Sequence, residues 1–393
     1  MVTVIILDVI IHALFHALST TIAMSWEILW PLILGFALSG AVQAVVSHKQ
    51  MSELLPDDKP RTLVTAGLLG AASSSCSYAA VALARSVFRK GGNFTAAMTF
   101  EMASTNIVVE LGIIMIVLLG WQFTLAEFAG APIMITLLAL LFRRFLTKRL
   151  VYGARLQTNR GLRGRMEGHA AMDDMAIGGN RSIWRKLRSP EGFTAISHFF
   201  VMDWASIWTD LALGLLIAGA LAAWVPQHFW QSFFFVNHPL VSALWGPLVG
   251  PLISVLSFVC SVGNIPLAAV LWNGGISFGG VVSFIFADLI ILPIVRIYAK
   301  YYGWRMAGFL FVTFYAAMTA AGYAIEGLFA LLHLTPHVRN ATVLESSIQW
   351  NYTTVLDILF LLLAVALIWR FFRTGGPMML RMMNHPEEHN CEH

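Results

Sequence analysis

Two short runs in this 393-residue chain carry groups able to do chemistry in an apolar setting. The first is Ser73-Ser74-Ser75-Cys76-Ser77, and the second runs from Ser257 through Cys260-Ser261 to Asn264. Each sets a thiol beside hydroxyls, and the second adds an amide, in the middle of a hydrophobic segment. Hydroxyls and amides offer hydrogen bonds to a polar solute. Downstream of each run lies a further polar break: Ser104-Thr105-Asn106, flanked by Glu101 and Glu110, in one case, and Asp288 in the other. An acid at membrane depth costs at least about 2.5 kcal/mol on insertion scales, so Glu101, Glu110 and Asp288 are the candidates for proton or ion coupling. The competing readings are burial of the cysteines by plain packing and pairing of the acids with an Arg or a backbone donor.

The two runs are copies of one motif. Residues 73–103 align without a gap on 257–287, with identities at Ser73/Ser257, Cys76/Cys260, Ser77/Ser261, Ala84/Ala268, Gly91/Gly275, Phe94/Phe278, Phe100/Phe284 and Ala103/Ala287. Chance would supply roughly two matches over such a window. A duplication accounts for the excess, and each copy predicts a hairpin with a Gly-Gly tip and a broken helix in its arms.

The elements that must position these residues follow from composition. Hydrophobic residues make up 58% of the chain and charged ones 12%, and the mean hydropathy is +0.73. A water-soluble core is excluded. The apolar residues fall into runs of roughly 20, the length a helix needs to cross about 30 Å of hydrocarbon. The expectation is an all-α membrane protein of about 10–11 spans, at 4–24, 28–46, 62–88, 94–119, 124–146, 204–224, 229–249, 251–272, 277–298, 306–332 and 353–372. The seventh carries His238, Pro239 and Pro247, which also suit a re-entrant or interfacial segment.

The domain reading is a first membrane half over 1–147, a basic linker over 148–198, a second membrane half over 199–373 and a tail over 374–393. The linker holds a cluster of Arg and Lys, which the positive-inside rule puts in the cytoplasm. With eleven crossings the N-terminus lies outside and the C-terminus inside, and the two motif hairpins point in opposite directions. That is an inverted repeat, the arrangement of many secondary transporters. Ten crossings would make the copies parallel. Ser and Gly runs followed by Asn or Pro weaken helix continuity, and free backbone groups at membrane depth survive only where protein covers them or they line a cavity. Two broken helices meeting near the midplane would offer their half-helix ends to a polar or anionic ligand.

Other features rank lower. Asp203 and Asp210 share a helix face, and Glu326 and Asp357 stand alone in less polar surroundings. His12 and His16 share a face of the first span. The tail His385-Pro-Glu-Glu-His389-Asn-Cys391-Glu-His393 has metal-binding residue types without the spacing of a closed zinc site. Cys76, Cys260 and Cys391 are too few for a disulfide framework. The net charge of +4 is carried beside membrane segments, where orientation explains it, so nucleic acid is not a partner. No Gly-rich Lys-Ser/Thr phosphate loop is present, so no cofactor and no ATP hydrolysis are expected.

The stretch SSSCSYAAVALARSVFRKGGNFTAAMTFEMASTN and its partner LSFVCSVGNIPLAAVLWNGGISFGGVVSFIFADLI resemble the ArsP-type predicted permease family. The resemblance implies an inner-membrane permease, and, from the few members with an assigned activity, efflux of trivalent organoarsenicals. It also implies Cys76 and Cys260 as soft ligands, since thiolates suit thiophilic solutes. Family members often show Pro-x-Cys-Ser-Cys in the first copy; here one cysteine and no proline are present, so a soft-ligand site must join the two copies or use a single thiol. The functional expectation is a secondary permease for a small solute, embedded in lipid, its oligomeric state open. A channel-like or complex-forming membrane subunit and a membrane-embedded thiol enzyme are the alternatives.

Overall fold

The computed structural model describes residues 2–27, 29–44, 55–73, 77–89, 91–158, 188–257, 261–336, 338–339, 341 and 352–378. The described residues are helical, with no strand among them. Five helices are long and apolar enough to cross a membrane, and six if the bent pair ending at Tyr302 is one span. Backbone groups in hydrocarbon must be satisfied internally, which is why a chain of this composition folds this way.

The N-terminal helices α1 (Val2–Glu27) and α2 (Leu29–Gln43) run in one direction along α9 (Pro190–Trp224). Ala13 O accepts the Trp224 indole N–H at 3.0 Å, Thr21 Oγ1 reaches Leu215 O at 3.3 Å, and Gly40 lies against Ile196 and Phe199. The segments 4–24 and 28–46 therefore continue one another rather than folding back as two passes. In the first turn of α2, Asp357 accepts from the Trp30 backbone N–H at 2.9 Å.

The predicted span 62–88 is instead a hairpin of two half-helices, α3 (Pro60–Ser73) and α4 (Ser77–Arg89). Its two outer ends lie together, with Asn93 N donating to Leu55 O at 2.8 Å. Gly91, at φ +108°, makes the turn into α5 (Phe94–Asn106), where Asn93 caps the new helix by accepting from Thr95 and Ala96 N–H. Continuing through a break at Ile107–Val108 are α6 (Val109–Leu118), α7 (Trp121–Phe145) and a short surface helix α8 (Lys148–Thr158).

The same order recurs after α9. The short α10 (Gln227–Phe233) and α11 (Pro239–Ser257) replace the predicted seventh span, which is interrupted at 234–238. Then α11 and α12 (Ser261–Gly274) form a second hairpin in place of a span over 251–272. Gly275, at φ +112°, turns into α13 (Phe278–Phe286), capped by Ser277. A 3-10 turn at Ala287–Ile290 and Pro293 then bend the chain by 40° into α14 (Leu292–Tyr302). Helices α15 (Trp304–Leu331) and α16 (Tyr352–Arg373) follow.

Close approach inside each hairpin unit depends on glycine. Gly70 of α3 lies against Phe100 O of α5, and Gly250 of α11 sits where a Cβ would meet Gly280 O at 2.5 Å. In lipid the hydrophobic effect does not drive helices together, so such tight packing is what holds them. The long helices α7 and α15 run antiparallel: Gly130 faces Ile325, and Phe142 faces Phe309 and Phe314 with ring centroids 5.3 and 6.4 Å apart. Such aromatic pairs each contribute about 0.5–1.5 kcal/mol beyond area.

Candidate functional site

After each hairpin turn, the first described residue of the returning half-helix is a serine. These are Ser77 of α4 and Ser261 of α12, and their hydroxyl oxygens lie 3.4 Å apart in the buried interior. Asp288, in the 3-10 turn of the second unit, meets these hydroxyls. Its Oδ2 accepts from Ser77 Oγ at 2.7 Å, and Ser261 lies within its hydrogen-bonding reach. One unit thus supplies the hydroxyl and the other the carboxylate.

A second pairing crosses the same boundary. Glu101 of α5 accepts a short hydrogen bond from the Tyr298 hydroxyl of α14, and both residues are fully buried. Glu127 of α7, absent from the sequence-based candidates, is fully buried as well and lies within electrostatic range of Asp288, as does Glu101. Neither Glu127 oxygen has a hydrogen-bond partner among the described residues, and the same holds for Glu101 Oε2, Asp288 Oδ1, Asn106 Oδ1 and Asn264 Oδ1. Buried polar atoms are normally paired, so open ones on three acids, Asp288 among them, set this region apart as the candidate site. No group of three metal-ligating side chains occurs among the described residues.

The remaining candidates are placed as follows. Ser73 and Ser257 turn back onto their own helices, each donating at 2.8 Å, to Gly70 O and Ser254 O. Asn264 Nδ2 reaches Ser254 Oγ at 3.3 Å. Ser104, Thr105 and Asn106 bond to Glu101 O, Met102 O and Met102 O on their own turn, loosening α5 just before its break. Glu110 is not part of the cluster: it stands in the first turn of α6 against Gly35 of α2. Ser74, Ser75, Cys76 and Cys260 lie outside the described residues, as does the tail from 379 onward. The missed Glu127 had a readable signal, an acid near the middle of a long apolar run.

The sequence finds its match in a known family. A family model described as a predicted permease, ArsP_1, matches residues 13–327, from α1 through both hairpins into α15. The chain belongs to the ArsP_1 predicted permease family. It is 63% identical over 339 residues, 86% of this chain and 83% of the other, to the Mycobacterium tuberculosis protein named "Putative permease Rv2963". No solved structure matches. As an ArsP_1 member with several membrane-crossing helices, the chain is a multi-pass membrane permease, a class that moves small solutes.

Proposed function

We propose that this permease is a secondary transporter of two inverted halves. Solute binds where the hairpin tips meet, and proton exchange at the buried acids links binding to facing state. The observation that carries the reading is the meeting of Ser77, Ser261 and Asp288 across the two units. Supporting it, the base of the first hairpin shares a face with the basic ends of α7 and α8, where Arg143 bonds Asp58 and Arg155 bonds the end of α4. The base of the second hairpin shares a face with Glu326 and Arg339, at the far end of the antiparallel α15. The basic face is cytoplasmic by the positive-inside rule.

With both hairpins re-entrant and α1–α2 a single pass, the chain makes about seven crossings, about three in the first half and four in the second, so the two halves start from opposite faces. The N-terminus is then outside and the C-terminus inside, in the inner membrane. The halves divide at residues 1–147 and 199–373, joined by the 148–198 segment, and 374–393 is a cytoplasmic tail. Asp288 is the first coupling residue, with Glu101 and Glu127 as partners. Cys76 and Cys260, adjacent in sequence to the two serines, suit the site to a thiophilic solute such as an organoarsenical, moved outward. Transport rather than enzymatic turnover is the activity, with the solute and membrane lipid as its partners.

The test is uptake of methylarsenite into everted vesicles with and without a proton gradient. Gradient-dependent accumulation abolished by Asp288→Asn supports the reading; accumulation indifferent to both the gradient and Asp288 overturns the coupling assignment.

A further inference from the structure

Each hairpin is held at its base by one arginine, and the two arginines occupy equivalent positions. Arg155, on α8, donates to Phe88 O and, at 3.2 Å, to Gly92 O, with its guanidinium 3.9 Å over the Phe88 ring. Arg339, in the segment after α15, donates to Trp272 O at 2.9 Å and Ile276 O at 2.8 Å, with its guanidinium 4.3 Å over the Trp272 ring. Ser77 and Ser261 are 184 positions apart. The same spacing relates Arg155 to Arg339, Phe88 to Trp272 and Gly92 to Ile276. Sequence identity is lost at the last two pairs, yet the hydrogen bonds and the ring stacking are kept.

The chemistry suits a latch. Phe88 O and Trp272 O, in the last turns of α4 and α12, each also accept a turn N–H, from Gly91 and Gly275, and Gly92 O and Ile276 O lie in the turns beyond, so each guanidinium ties a helix end to its turn while complementing the negative end of the helix dipole. A planar fork over an aromatic face adds a cation–π contact that a lysine reproduces poorly. Neither arginine belongs to the hairpin it holds; each sits on the segment that follows the third long element of its own unit. The contact therefore fixes the depth of a hairpin relative to α7 or α15. Beside Arg155 a cavity of about 570 Å³, lined by Asp58, Asn93, Arg143 and Tyr152 among others, gives the side chain room to leave.

We infer that Arg155 and Arg339 are positioning residues for transport, a matched pair of latches on opposite membrane faces, and that release of one frees only the hairpin on its own side. The inference rests on the inverted arrangement proposed above. Loss of Arg155 exposes the site to the cytoplasmic face, and loss of Arg339 exposes it to the outer face.

The experiment uses the full-length protein in right-side-out and everted vesicles, with a membrane-impermeant maleimide as probe. Gly153→Cys and Val338→Cys, both at exposed positions, are labelled first in a background lacking the three native cysteines. Labelling from opposite faces keeps the inverted arrangement; labelling from one face overturns it and the latch pair with it. The labelling rate of native Cys76, next to Ser77, is then measured in Arg155→Ala and Arg339→Ala. The expectation is a rise of about tenfold from the cytoplasmic face only in the first and from the outer face only in the second, the scale of losing one charge-assisted hydrogen bond. Arg155→Lys and Arg339→Lys, which keep the charge and guard against failure to fold, give smaller shifts of the same sidedness. Equal or same-sided changes in the two Ala variants, or lower thermal stability with no change in labelling, would show two ordinary helix caps and overturn the latch.

Discussion

Ser77 of the first hairpin and Asp288 of the second unit share a hydrogen bond of 2.7 Å across 211 residues of sequence. The Ser77 hydroxyl also lies 3.4 Å from that of Ser261, so the donor to the acid touches the second hairpin as well. Ser77→Ala should lower transport by about tenfold, the cost of one hydrogen bond to a charged group. Asp288→Asn should abolish gradient-driven accumulation while leaving downhill movement of the solute. Rates in everted vesicles, with and without a proton gradient, separate the two effects.

Glu127→Gln is nearly isosteric and replaces a carboxyl whose oxygens have no partner within the described residues. Removing an unpaired buried acid should leave stability in detergent unchanged or raise it by on the order of 1–3 kcal/mol, read as an unchanged or higher thermal midpoint. Transport should lose its dependence on external pH. A variant that is destabilised and retains that dependence would make Glu127 a scaffold residue.

Glycine spacing on α3 supplies an internal control. Gly70→Val drives two methyl groups into Phe100 O and Ala103 of α5, whereas nothing lies within 4 Å of a Cβ at Gly67. Overpacking of this kind costs about 1–3 kcal/mol, and more where the obstacle is backbone. Thermal unfolding followed by tryptophan fluorescence should show a large loss for Gly70→Val and a small gain for Gly67→Ala, since alanine is the better helix former.

Asp57 lies in the loop ahead of α3, where it accepts from the Thr62 hydroxyl and pairs with Lys59 at 2.9 Å. The hydrogen bond from Thr62, and then that from Lys59, lower its carboxyl from 3.8 to about 2. A group whose folded value is depressed stabilises the fold above its unfolded value and loses that contribution as pH falls through the folded one. The start of α3 should therefore be indifferent to pH between 5 and 8 and should loosen from about pH 4 down to about pH 2. Asp57→Asn should show the looser state throughout, as faster amide exchange at the start of α3.

The all-helical membrane class was legible in the residues themselves as apolar runs of span length, and Asp288 stands out as a letter, whereas Cys76 and Cys260 of the duplicated motif lie outside the described residues. What length could not reveal was direction. Residues 62–88 satisfy the hydropathy of one crossing, yet the Ser-rich run splits them into two half-helices whose outer ends meet at Leu55 and Asn93. Residues 251–272 hide the same fold-back, and α1–α2 reads as two spans because Ser25, Trp26 and Glu27 separate its apolar runs. Glu101 was found by its charge, but its partner Tyr298 was not, since a tyrosine in an apolar helix carries no distinguishing spacing. Arg155 and Arg339 were invisible as a pair because their neighbours share roles and not identities.

The pairing of Ser77 with Asp288 also sets a schedule for biogenesis. A ribosome adding about 5–20 residues per second needs on the order of 10–40 s to place the second residue after the first. Throughout that interval the polar tip of the first hairpin is in or beside the translocon without the acid that completes it. The N-terminal half expressed alone should on this account be a substrate for membrane proteases, and co-expression of the C-terminal half should rescue it.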